Sequence, residues 1–111
     1  MLATFAPDGV WEVKGLKRSF IGHAEIRAAI DLFMKPLAYF VQINSPAVIT
    51  IDGDRATARS AIRETGKLAD RDATLDVVGF YDDELIRGAD GWKFTRRAFT
   101  AIGKHQFALA L

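Results

Sequence analysis

The sequence predicts an α+β domain: a strongly curved, mainly antiparallel sheet with one long helix packed on its concave face. Three observations predict it. Only one stretch, "GHAEIRAAIDLFMK" (22–35), repeats apolar residues at the 3.6-residue helical period. The segments around it are rich in β-branched and aromatic residues and are punctuated by Gly, Pro, Asn and Asp. Between "AVITI" and "RATARSAIRE" stands an Asp-Gly pair, the mark of a hairpin with a tight primed turn. At 111 residues the chain is read as a single domain, 1–111.

Taken in order, "MLAT" before "FAPDGVWEV" reads as the last turn of a helix otherwise missing from the chain, closed by a Pro7-Asp8-Gly9 turn. "GVWEV" (9–13) is a strand, and "RSFIG" the second arm of a hairpin. In the helix, Ile26, Ala29, Ile30, Phe33 and Met34 form one stripe, and Pro36 stops it. "LAYFVQI" (37–43) is a strand. Val48–Ile51 favours strand over helix for the hairpin that follows, although "RATARSAIRE" alone also fits a helix. "TGKLADRDA" reads as a polar loop, 74–87 as a strand covered on both faces, 92–102 as the last strand, and "GKHQFALAL" as an apolar tail. Gly79 in mid-strand signals a bulge or bend. Twist and that bend make such a meander curl, and one helix covers only part of the concave face.

Composition narrows the function classes. Hydrophobic residues make up 50% and charged residues 26%, an ordinary globular balance. A net charge of +1 gives no electrostatic case for nucleic acid or an anionic membrane. With no cysteine there is no disulfide, thiolate metal site or Cys nucleophile. No apolar run approaches the ~20 residues of a membrane span, and the first residues lack a signal peptide's pattern, so a cytoplasmic location is expected.

Five pieces, "FAPDGVWE", "FIGHAEIRAAI", "IDGDRATARSA", "GFYDDELIR" and "DGWKFTRR", stand in the order found in SnoaL-like proteins. The chain resembles that group of the nuclear transport factor 2-like superfamily over residues 3 to 100. The resemblance implies a cystatin-like cone, closed by helices around an apolar interior, in a family of polyketide cyclases, ketosteroid isomerases and scytalone-type dehydratases. It implies cofactor-free isomerisation, dehydration or cyclisation of a small hydrophobic, oxygenated molecule. Fold alone does not select the reaction. Such relatives begin with a longer helical segment that carries pocket residues; this chain is read as lacking it, through a late start, a shortened chain or cover supplied by a partner.

The resemblance also marks where usual catalytic groups are not filled. The Asp of ketosteroid isomerases falls at Val13, just after Glu12, and the His of dehydratase-like members falls at Phe40, four residues before Asn44. No catalytic residue is assigned on this basis. Tyr81 and Asp83 share a strand face and match positions common in the family, as does Arg97 after the Trp-x-aliphatic motif. A Tyr hydroxyl and an Arg fork facing the interior can hold a carboxylate, phenol or enolate oxygen; the same three residues can equally form a structural network within the sheet. Gln42 is a candidate orienting amide, and Trp11, Phe40 and Trp92 candidate pocket walls, with core or interface as their plainer roles. Ligand-binding residues are thus expected among Trp11, Phe40, Gln42, Tyr81, Asp83 and Arg97.

Other signals point elsewhere. His23 and His105 read as exposed. "DDE" (82–84) alternates faces and reads as solvated charge, so no metal site is expected. No phosphate loop or nucleophile elbow is present. Arg55, Arg59 and Arg63 share one strand face, about 13 Å apart, without interleaved aromatics on it. They read as a solvated sheet face with acids across the strands. Two functions follow: a small-molecule-binding cone of enzymatic type, or a non-catalytic module that carries a ligand or forms a homodimer or higher homo-oligomer through the outer sheet face. Neither involves a cofactor, nucleic acid or a membrane.

Overall fold

The computed structural model describes residues 2–108, with side chains through residue 103. A 3-10 turn, Leu2–Thr4, leads into β1 (Phe5–Val13), and a second, Lys14–Leu16, leads into β2 (Arg18–Ile21). Then come α1 (Gly22–Met34), β3 (Leu37–Asn44), β4 (Val48–Asp52), β5 (Arg55–Leu68), β6 (Ala73–Gly88) and β7 (Gly91–Ala108). The strands form one curved sheet in the order β2-β1-β7-β6-β5-β3, with β4 also paired to β5. All pairings are antiparallel except β1 with β7, which is parallel.

The helix stripe packs as its spacing predicts. Ile26 and Ala29 are buried, and Ile30 and Phe33 pack against the same cluster with Phe5, Trp11 and Phe20. Phe33 meets Trp11 and Phe20 edge-on, at 5.8 and 6.2 Å between ring centroids, the favoured geometry for aromatic pairs. The core therefore sits under α1 at the β1–β2 end. Toward β4 the concave face stays open, with Ile49 and Ile51 59% and 63% exposed. The Asp52-Gly53 turn closes β4 onto β5 with Gly53 at φ 60°, the left-handed geometry a primed turn demands at its first central residue.

Four expectations need correction. Pro7-Asp8-Gly9 lies inside β1, where the register against β7 shifts between Phe5 and Val10; a bulge, not a turn, absorbs the punctuation. "TGKL" extends β5, since Thr65, Gly66 and Lys67 pair with both β3 and β6. Likewise residues 103–108 continue β7 against β6, because pairing with a long neighbour outweighs weak local propensity. His23 is half-buried, and its Nε2 lies 3.0 Å from the Phe5 carbonyl oxygen, to which it donates as the Nε2–H tautomer. It ties the start of α1 to β1. The side chain of His105 lies outside the described residues.

Gly79 sits at a register shift against β7, as its mid-strand position predicts. On the outer face, Arg59 pairs with Asp82 at 2.9 Å and Arg63 with Asp76 at 3.0 Å, across the strands as expected. An aromatic does join them: Phe80, from the neighbouring strand, lies under Arg59 at 4.7 Å.

Candidate functional site

Strand register lines up one row of side chains across the concave face. Ala58 on β5 stands opposite Asp83 on β6, Asp83 opposite Arg97 on β7, and Arg97 opposite Trp11 on β1. Because directly opposed residues share a face, four residues from four strands converge where α1 stops covering the sheet. Tyr81, two residues before Asp83, adds a ring on the same face.

Arg97 is the centre of the group. Its guanidinium carbon lies 3.8 Å from the Tyr81 ring centroid and 4.6 Å from that of Phe94, so two aromatic faces hold the cation. Its Nε lies 3.2 Å from Asp83 Oδ1. The two atoms are in ion-pair contact without hydrogen-bond alignment, and neither has another hydrogen-bond partner. Trp11 Nε1 is also buried, next to the Tyr81 hydroxyl. Asp83 is 6% exposed, so the middle residue of "DDE" is not solvated charge; the strand turns it inward while Asp82 faces Arg59 outside.

Burial pushes the Asp83 carboxyl up to about 6; Arg97 pulls it down, and Asp82 adds to the rise. Burial likewise pushes the Tyr81 phenol up to about 12 against the pull of Arg97, so this hydroxyl stays protonated and can donate. A carboxylate whose titration is moved close to neutrality can accept and return a proton.

Next to this group opens a cavity of about 410 Å³, lined by Asp83 and Arg97 with Ile49, Ile51, Leu85 and Phe94 among its walls. That volume is within the range of small-molecule sites. Trp92 also lines it and has Arg87 stacked on its ring at 5.2 Å. Trp11 and Tyr81 adjoin the charged pair without lining the cavity itself. Phe40 and Gln42 are not brought to it: β3 lies three strands from β7. Gln42 is committed to Glu64, donating from Nε2 to Oε1 at 2.9 Å.

Sequence reasoning missed Glu64, Phe94 and Phe99. Glu64 faces the concave side with Ser60 and Ile62, and burial raises its carboxyl while the Gln42 amide opposes the rise. The alternation of "RATARSAIRE" contained that signal on the face opposite the arginines. Phe99 packs on Tyr81 at 5.2 Å, as period 2 from Arg97 would have indicated. Among the described residues, no three His, Asp or Glu side chains gather as metal ligands. No helix among them is long and apolar enough to cross a membrane.

Comparison with known proteins agrees with this architecture. The family model described as SnoaL-like domain matches residues 1–98. No curated protein matches the chain significantly. Among solved structures, a candidate aromatic ring hydroxylase of Novosphingobium aromaticivorans is similar at 25% identity and a TM-score of 0.85, over 96% of this chain and 76% of that one. A candidate scytalone dehydratase of the same organism gives 16% identity and 0.85, over 98% and 73%. A hexachlorocyclohexane dehydrochlorinase of Novosphingobium barchaimii gives 15% and 0.83, over 96% and 74%. With the family model covering most of its length and the curved sheet shared by these structures, the chain belongs to the SnoaL-like domain family.

Proposed function

We propose that this protein binds a small hydrophobic, oxygenated molecule in the concave cavity and moves a proton within it. The observation that carries this reading is a buried ion pair, Asp83 Oδ1 and Arg97 Nε 3.2 Å apart, in the wall of a cavity of about 410 Å³. A few polar groups placed in the wall of a mostly apolar cavity are what orients a small ligand. Asp83 takes the proton, filling the role of base that Val13 and Phe40 cannot. Arg97 stabilises the oxyanion that forms, and the Tyr81 and Phe94 rings hold its guanidinium in place. Two of the similar structures bear the names of a dehydratase and a dehydrochlorinase, but at their identities they speak for the fold alone.

Deuterium uptake by an enolisable cyclic ketone, 2-tetralone, tests this by NMR in heavy water. The protein is expected to accelerate exchange over buffer, and Asp83→Asn to slow it by about 100-fold or more. Exchange no faster than in buffer would remove the catalytic role.

The second reading, an association module, has its own observation. Tyr39, Val41 and Ile43, 47%, 54% and 66% exposed, lie on the outer face of β3 in register with the face that carries Arg63. Apolar side chains at this exposure on an edge strand mark a contact surface. Light scattering is expected to give twice the chain mass, and Ile43→Lys the mass of one chain. A single-chain mass for the unaltered protein rules this contact out.

A further inference from the structure

Among the described residues, the cavity has two charged lining side chains, Asp83 and Arg97, of opposite sign and 3.2 Å apart. The other walls are apolar or neutral, with Ser60 and Asn44 supplying a hydroxyl and an amide. The site is therefore electrically balanced before any ligand enters. A carboxylate arriving there must compete with Asp83 for one guanidinium, leaving one of two carboxylates against apolar walls without a cation. What the pair has left over is ordinary hydrogen bonding: a guanidinium carries five N–H donors and a carboxylate two acceptor oxygens, and their one contact uses only part of each. A hydroxyl meets both demands, since its oxygen accepts while its hydrogen donates.

We infer that the site selects neutral ring compounds bearing a hydroxyl, such as phenols and enols, and rejects the matching carboxylates. The inference rests on the small-molecule reading above and adds the ligand's charge and its polar group. Asp83 acts here as the specificity determinant: its charge occupies Arg97 and excludes anions.

Two probes with one ring system test it, 2-naphthol and 2-naphthoate, titrated calorimetrically into the protein at neutral pH. The naphthol is expected to bind at least about tenfold more tightly than the naphthoate. In Asp83→Asn, where Arg97 is left without its anion, the order is expected to reverse. Should that variant not fold, the comparison in the unaltered protein decides alone. Naphthoate binding as tightly as naphthol would overturn the inference while leaving the small-molecule reading in place. Failure of both probes to bind would overturn the two together.

Discussion

Replacing Gly79 with valine is expected to abolish the native sheet, with the folded fraction lost in urea far below the midpoint of the unaltered protein. A Cβ at this position would lie 2.5 Å from the Thr100 carbonyl oxygen and 2.8 Å from the Phe99 ring. The ring can shift, but the carbonyl belongs to β7 and is fixed by the pairing around it. The register shift between Val78 and Gly79 brings the two backbones this close, and only a residue without a side chain fits. Overpacking a core costs about 1–3 kcal/mol and more when backbone must move, against a total stability of about 5–15 kcal/mol for a domain. Valine adds two further methyls to a space already closed to one. The control is Gly103→Ala on the same strand, where a Cβ meets nothing within 4 Å; its midpoint is expected to be unchanged. Equal losses at both positions would mean that glycine acts through chain flexibility and not through the close approach.

The same region shows which features were legible in sequence. Periodicity exposed the helix, because Ile26, Ala29 and Phe33 must all face one core. Turn chemistry exposed the hairpin at Gly53 and the bend at Gly79, because each imposes a local backbone requirement. Strand ends were misread where local polarity was the only cue: Thr65–Lys67 is polar, yet hydrogen-bonded between two neighbours. Pro7-Asp8-Gly9 has the residues of a turn and sits in a bulge, since nothing local announces the parallel pairing of β1 with β7. The site divides in the same way. Tyr81, Asp83 and Arg97 were visible through family resemblance and strand alternation. Their depth was not, because it depends on register among strands distant in sequence. Register also decides that Gln42 and Phe40 lie three strands from Arg97 and that Glu64 shares the concave face.

Arg97→Met is expected to destabilise the protein by about 3–5 kcal/mol at neutral pH, the usual result of stranding one member of a buried ion pair. Asp83, 6% exposed, would keep its desolvation and lose the cation 3.2 Å away. The sign of the pH dependence follows from burial. A carboxyl held up to about 6 in the folded state, against ~4 in the unfolded chain, binds more protons when folded. Its contribution to stability is therefore greatest at acid pH and is lost as pH rises through that window. Arg97 opposes this rise, so without it the window extends upward and the loss grows toward neutral and alkaline pH. The double variant Asp83→Asn with Arg97→Met has neither charge and is expected to recover most of the stability and to show no slope from this position. Urea denaturation of the three proteins at acid and neutral pH reads all of this. A pH-independent loss in Arg97→Met, or a double variant no better than the single, would show that Asp83 is solvated. The electrically balanced cavity, and with it the exclusion of carboxylates, would then lose its basis.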